Sequence, residues 1–263
     1  FWDSEDMVDN KNGIEKYIEE AIEDIEDDDD LYNSETEIIN DSVNIFRHHT
    51  SRYLDQMRES PTSKLNNILK RNTENQDNSL NIVSIEISVL PENINRMSWV
   101  TELTLNRTGL KNMQCCPPNL EKLIISNNEI DILDGTMIPS SVKYFRFSDN
   151  GARQVVGLSE GMTELVITGN LMREISCPIP STVQILDISV NKLLLKLPTF
   201  LSNTLQQLSF NNTNISNIDE IPDSVQILDS CKCNIREVHR LPKNLCAWKS
   251  YNSGIYKIKC EFP

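Results

Sequence analysis

Eleven-residue segments with a common pattern of apolar residues recur along the chain. The first four are VTELTLNRTGL from Val100, LEKLIISNNEI from Leu120, VKYFRFSDNGA from Val142 and MTELVITGNLM from Met162. Four more copies are VQILDISVNKL from Val183, LQQLSFNNTNI from Leu205, VQILDSCKCNI from Val225 and LCAWKSYNSGI from Leu245. Each copy begins 20 to 22 residues after the previous one. A period of this length predicts a solenoid in which every copy forms one turn.

Apolar residues occupy the first, fourth and eleventh positions of each copy, and the sixth position of all but the last two, which have Ser230 and Ser250. The alternation around positions four and six is typical of a strand with one buried face. No single copy could bury its apolar side chains alone, whereas stacked copies bury them against each other. We therefore predict parallel strands in one continuous sheet. The segment IVSIEISVL from Ile82 resembles a degenerate first copy.

A proline recurs three residues before a copy begins, at Pro117, Pro139, Pro180, Pro222 and Pro242. Proline fixes φ near about −65° and has no backbone N–H to donate. These properties suit an extended segment that leads into a strand. We therefore predict extended segments on the side of the solenoid opposite the sheet.

The repeated pattern resembles the leucine-rich repeat family. It is most similar to the short repeats of about 20 residues found in bacterial effectors and in some proteins of large DNA viruses. The resemblance implies an α/β repeat solenoid with a parallel concave sheet and extended convex segments. It also implies that the ninth-position amides point inward and bond backbone groups of the turns; these residues are Asn128, Asn150, Asn170 and Asn191. The other copies have Thr108, Thr213, Cys233 and Ser253 at this position.

The residues before the repeats differ from them in composition. Ile14, Ile18, Ile22 and Ile25 recur at helical spacing among acidic residues, which predicts an amphipathic helix. Leu65 and Leu69 predict a further short helix. We predict a small acidic helical segment over residues 1–70 and a polar connector over 71–81. About eight full repeats and the degenerate one then occupy 82–258, and a C-terminal tail covers 259–263.

The net charge of −14 is distributed unevenly. Residues 1–90 contain 22 Asp and Glu against 8 Lys and Arg, whereas the remainder contains 17 of each. Nucleic acids and anionic membranes are bound through Lys and Arg, so this balance argues against both as partners. The longest apolar runs are far shorter than a membrane span, which needs about 18 residues, so we expect no membrane insertion. One group of acidic residues either only solvates its segment or attracts a basic partner: Glu19, Glu20, Asp27, Asp28, Asp29 and Asp30.

The sequence lacks the common catalytic motifs. It has no His-Glu-x-x-His, no Gly-x-Ser-x-Gly and no Walker motif. The seven cysteines are odd in number and form no Cys-x-x-Cys pair, which favours reduced thiols in an intracellular, cytoplasmic setting. The three histidines supply no zinc spacing. We therefore expect a non-enzymatic protein without a cofactor or a metal.

The resemblance implies that the third and fifth positions of each copy are exposed on the concave face. Among these residues, Tyr144 and Arg146 have apolar neighbours, a composition typical of residues that dominate binding energy. The candidate partner-binding residues are Lys122, Ile124, Tyr144, Arg146, Glu164, Val166, Ile185 and Asp187. The alternative is that exposed β-branched residues merely suit strand geometry.

Three functions are compatible with these features. The leading hypothesis is a protein-binding module or scaffold that recognises a protein partner on the concave face. A second is a structural component of the virion or capsid of a large DNA virus. A third is the repeat fragment of a bacterial effector whose catalytic domain is absent.

Overall fold

The repeats form successive turns of a parallel β-solenoid in the computed structural model, which describes residues 60–261. The helix α1 (Pro61–Asn75) precedes the strands, and a short 3-10 helix covers Glu92–Arg96. The strands are β1 (Ser79–Val83), β2 (Glu102–Asn106), β3 (Lys122–Ser126), β4 (Ile132–Gly135), β5 (Tyr144–Ser148), β6 (Gln154–Leu158), β7 (Glu164–Thr168), β8 (Ile185–Asp187), β9 (Gln207–Ser209), β10 (Ile227–Asp229), β11 (Glu237–Val238), β12 (Ala247–Lys249) and β13 (Lys257–Ile258).

Nine of these strands form the main sheet, in the order β1-β2-β3-β5-β7-β8-β9-β10-β12. Each strand pairs in parallel with the equivalent strand of the next turn. The other four strands make two small parallel pairs, β4 with β6 and β11 with β13. The parallel sheet predicted from the repeats is confirmed.

The core lies directly behind the main sheet. The fourth and sixth positions of consecutive turns bury their side chains against one another, and Phe145 and Phe147 of β5 are fully buried there. Their ring centroids lie 6.3 Å apart at an interplanar angle of 39°. Burial of one aliphatic side chain stabilises a fold by roughly 1.5–3 kcal/mol. Because every turn buries several such side chains, the stack of turns is stable although each turn contacts only its neighbours.

Helix α1 covers the N-terminal end of the core with Leu65 and Leu69, both buried. Ser60 caps the helix by accepting a hydrogen bond from the backbone N–H of Ser63, and Pro61 follows at its first turn. The helix continues to Asn75, within the 71–81 range predicted as a polar connector. It does so because the amide of Asn72 bonds the carbonyls of Asp77 and Ser79 and thereby joins the helix to the first turn. Only residues 76–78 separate α1 from β1.

The first turn begins earlier than the repeat pattern predicts. Leu80 and Ile82 of β1 lie opposite Leu103 and Leu105 of β2, so Ile82 holds the sixth position of its turn and not the first. The first position belongs to Asp77, which is polar. A search for apolar residues at that position therefore misses the start of this turn.

The prolines before the strands open tight turns. The carbonyl of Pro139 accepts a hydrogen bond from the backbone N–H of Val142, at 3.1 Å. Pro180, Pro222 and Pro242 make the same bond to Val183, Val225 and Leu245. Each of these prolines is thus the first residue of a β-turn that directs the chain into the next strand.

The eleventh position is shifted by one residue in a single turn. Leu193 is 42% exposed, whereas the following Leu194 is fully buried. In this turn the backbone N–H of Leu194 donates to the carbonyl of Asn191 at 2.9 Å, and Leu194 takes the inward-facing position. The prediction that Leu193 points inward is wrong.

Residues 1–59 of the predicted acidic helical segment lie outside the described residues, as do the acidic side chains from Glu19 to Asp30. The described part of the chain contains no helical segment with the length and apolar content that a membrane span needs.

Candidate protein-binding face

The third, fifth and seventh positions of the main-sheet strands form three rows of side chains, which we call the concave face. Lys122, Tyr144, Glu164 and Ile185 are consecutive members of one row. The adjacent row has Ile124, Arg146, Val166 and Asp187. All eight candidate residues therefore lie together on four neighbouring strands, spaced about 4.8 Å apart. Their role in binding stays a prediction.

Lys122 connects two members of its row. Its Nζ lies 3.4 Å from Oε2 of Glu102 and 5.9 Å from the centroid of the Tyr144 ring. Both charged side chains are nearly half exposed, so the ion pair contributes little to stability. The contact with the ring orients Lys122 toward Tyr144 by a cation–π interaction.

Arg146 is an exposed cation with apolar neighbours in its row. Ile124 lies opposite it on β3 and Val166 on β7. Its Nε donates to Oγ of Ser148 at 3.2 Å, which fixes the side chain along the strand. No carboxylate between residues 60 and 261 pairs with its guanidinium. The remaining N–H donors are thus free to bind a planar anion such as a carboxylate.

Two of the candidate residues offer less to a partner than their sequence positions indicate. Val166 is only 9% exposed and packs between its neighbours on the sheet. The carboxylate of Asp187 accepts a hydrogen bond from the backbone N–H of Ser189 at 2.9 Å. Of the eight candidate residues, Arg146 is exposed, and the others except Val166 are partly exposed.

The ninth-position asparagines point into the solenoid and bond its backbone. The Nδ2 of Asn128 donates to the carbonyls of Leu105 and Ser126. Its Oδ1 accepts from the backbone N–H and the hydroxyl of Thr108, at 2.8 and 2.7 Å. Asn170 bonds two carbonyls and two backbone N–H groups in the same way.

The other two asparagines make fewer bonds. Asn150 and Asn191 donate to backbone carbonyls through Nδ2, but their buried Oδ1 atoms have no partner among the described residues. Thr213 and Cys233 stand at the same position further along. Each donates to the carbonyl of Phe210, and the two side chains lie 3.6 Å apart. A hydroxyl or a thiol at this position therefore makes one of the hydrogen bonds to a backbone carbonyl that the asparagine amide makes in other turns.

Sequence reasoning missed a regular feature at the eighth position, where every turn has a residue in the left-handed region. The φ angles lie between 54° and 65° at Ser84, Arg107, Asn127, Asp149, Gly169, Val190, Asn212, Lys232 and Asn252. Asn, Asp and Gly adopt this conformation more readily than other residues, and they hold five of the nine positions. Their enrichment is the signal that could have revealed it.

Five of the cysteines have a thiol pKa that is raised by their surroundings. Burial raises the pKa of Cys116 to about 12. Desolvation also raises the pKa of Cys115, Cys177, Cys231 and Cys233. A nucleophilic cysteine needs a lowered pKa, so none of these five suits covalent catalysis. No group of three or more His, Cys, Asp or Glu side chains within the described range is arranged to hold a metal ion.

Comparison with known proteins identifies a structural relative. No protein-family profile matches the sequence, and no curated protein matches it. Among solved structures, the fold is similar to YopM from Yersinia enterocolitica WA-314, with a TM-score of 0.51 and 25% sequence identity. The fold is that of a leucine-rich repeat solenoid. The similarity covers 63% of this chain and 40% of the YopM chain.

Proposed function

We propose that this chain is a non-catalytic scaffold that binds a protein partner on its concave face. The partner contacts Tyr144, Arg146 and Lys122, and the flanking apolar residues exclude water around them. A leucine-rich repeat solenoid similar to YopM is compatible with such a role. The cytoplasm is the compartment that we propose for it, because the odd set of unpaired cysteines suits a reducing setting.

The exposed guanidinium of Arg146 carries this proposal. An arginine between two apolar side chains, without a carboxylate partner among residues 60–261, resembles the centre of a protein interface. Tyr144 adds a large side chain that is partly exposed and already oriented by Lys122. Neither residue is needed to fill the core, so selection for folding alone does not explain the combination.

The proposal is tested by replacing Tyr144 and Arg146 together with alanine. Each hot-spot residue contributes about 2 kcal/mol or more to binding, so the double variant should retain at most a few per cent of partner captured from host-cell extract. The measurement is quantitative mass spectrometry of proteins captured on the full chain. The matched control replaces Arg96 and Tyr256, an exposed arginine and tyrosine outside the concave face, and should capture normally. Equal capture by wild type and the Tyr144/Arg146 variant would remove the concave face from the proposal.

The similarity to YopM favours one of the two remaining hypotheses. YopM is a bacterial effector with leucine-rich repeats, so the chain as the repeat region of an effector is the second candidate. The similarity lends no support to a virion component, which stays a prediction from the sequence.

A further inference from the structure

Two exposed leucines lie on consecutive turns at the edge where the chain leaves the main sheet. Leu171 is 44% exposed and Leu193 is 42% exposed. Together with Val155 and Arg173 they line a groove, which we call the leucine groove. Leu195, two residues after Leu193 and outside the lining, is 58% exposed. Contiguous apolar surface of this kind is uncommon away from binding sites.

The repeat itself does not require leucine at this place. Leu171 stands directly before the buried Met172, and Leu193 stands directly before the buried Leu194, so the two leucines are structurally equivalent. The residues that directly precede the inward-facing position in the other turns are polar or glycine: Glu86, Gly109, Glu129, Gly151, Asn214, Asn234 and Gly254. The apolar pair is therefore a local departure from the pattern.

Cations occur in the lining of the leucine groove and beside its leucines in the sequence. Arg153 is one of the lining residues and pairs with Asp131 at 3.0 Å. Arg173 also lines the groove, and Lys192 and Lys196 flank Leu193–Leu195 in the chain. None of these last three forms an ion pair within residues 60–261. The one acidic side chain of the lining, Glu174, accepts a hydrogen bond from the hydroxyl of Ser176. The surface is thus apolar and basic, although the whole chain has a net charge of −14.

We propose that the leucine groove binds a short acidic, amphipathic helix of a partner protein, at a surface distinct from the concave face. Equivalent residues of neighbouring turns are about 4.8 Å apart, which is close to the 5–6 Å between side chains at i and i+4 of a helix. Two apolar residues of such a helix contact Leu171 and Leu193. Acidic residues beside them pair with Arg173, Lys192 and Lys196.

A polypeptide suits the groove better than an anionic membrane. A bilayer presents a broad surface, whereas the lining residues form a concave site between turns.

The test is a selection of random 12-residue peptides displayed on phage against the immobilised full chain. We expect recovered peptides to combine apolar residues at helical spacing with Asp or Glu. Fluorescence anisotropy with a synthetic recovered peptide should show at least about tenfold weaker binding to the Leu171→Ser/Leu193→Ser variant. In Arg173→Gln/Lys192→Gln/Lys196→Gln, binding should weaken and should depend less on salt concentration.

Two controls separate this site from general effects. Ile132→Ser/Phe200→Ser removes exposed apolar side chains that do not line the groove, and it should bind the peptide normally. Tyr144→Ala/Arg146→Ala should also bind normally, because those residues belong to the concave face. Circular dichroism should give the two serine variants nearly the same thermal midpoint as wild type, since all four replaced side chains are exposed.

Three outcomes would overturn the proposal. The first is a selection in which no recovered peptide depends on Leu171 and Leu193. The second is recovery of groove-dependent peptides that lack acidic residues. The third is sedimentation of the wild type, but not of the leucine variant, with vesicles of phosphatidylcholine and phosphatidylserine, which would assign the groove to a membrane surface.

Discussion

The eighth position of each turn imposes the same backbone conformation on very different side chains. Gly169 adopts a positive φ without steric cost, and Asn127 and Asp149 tolerate it. Val190 adopts it at φ 61°, where a β-branched side chain clashes with its own backbone. The surrounding hydrogen bonds hold it there, including the bond from its backbone N–H to the carbonyl of Asn211 at 2.7 Å. Val190 is therefore a strained residue.

Relief of this strain should stabilise the protein. We expect Val190→Gly to raise the free energy of unfolding by about 1 kcal/mol, because the strain removed exceeds the added entropy of the unfolded glycine. Urea denaturation measures the change. Val83→Gly is the matched control, since Val83 is about as exposed but lies in the extended β1 strand, and this change should destabilise. A loss of stability in Val190→Gly comparable with that in Val83→Gly would contradict the assignment of strain.

Residue spacing was sufficient to predict the buried positions but not the sign of φ. Leu103 and Leu105 alternate with polar residues, and this alternation alone specifies a strand with one buried face. At the eighth position, Arg107, Val190 and Lys232 give no local indication of a left-handed conformation. The turn of the solenoid determines it there, against the preference of the residue.

At the level of elements, the β4–β6 pair brings two backbones unusually close together. A Cβ added to Gly135 would lie 2.0 Å from the carbonyl oxygen of Gly157. The register of the pair also shifts between Asp134 and Gly135. Glycine at this position is therefore required by contact with the next turn.

Replacement of Gly135 with alanine should separate the two strands. We expect the free energy of unfolding to fall by about 2 kcal/mol or more, because a backbone atom must move to accommodate the methyl group. Gly151→Ala is the control: it has no neighbour within 4 Å but a φ of 73°, so it should lose only about 1 kcal/mol through backbone strain. Thermal melts of both variants give the comparison, and equal losses would indicate that the close approach has no effect.

Sequence composition did not predict where α1 ends and the first turn begins. Residues 71–79 are polar, which is typical of a connector, yet Asn72 is buried and Trp99 donates to its Oδ1 at 3.0 Å. The donor lies 27 residues further along the chain. A long-range partner of this kind leaves no local signal.

On the scale of the whole molecule, the two ends of the described solenoid differ. Leu65 and Leu69 of α1 cover the first turn, whereas Leu245, Trp248 and Ile255 of the last described turn remain partly exposed. Stability of a solenoid is approximately the sum of its turns and of the interfaces between them. A destabilising substitution at one end should therefore lower the stability of the adjacent turns more than that of distant turns.

Leu69→Asp should detach the helix and destabilise the nearest turns first. A buried charge without a partner is strongly unfavourable, so hydrogen exchange should accelerate in β1 and β2 well before β9 and β10. Asn66→Asp introduces the same side chain at an exposed position of the same helix and should leave the exchange pattern unchanged. Uniform acceleration along all strands would instead indicate a fully cooperative solenoid.

The spacing of the main-sheet strands also limits the shape of a partner on the concave face. Its rows repeat about every 4.8 Å, whereas same-facing side chains of an extended peptide repeat about every 6.7 Å. The two periods come back into phase only after about seven strands. The side chains of an extended peptide that crosses the strands therefore fall out of alignment with the side chains of the sheet within two or three strands. A folded surface that presents irregularly spaced side chains suits Lys122, Tyr144 and Arg146 better.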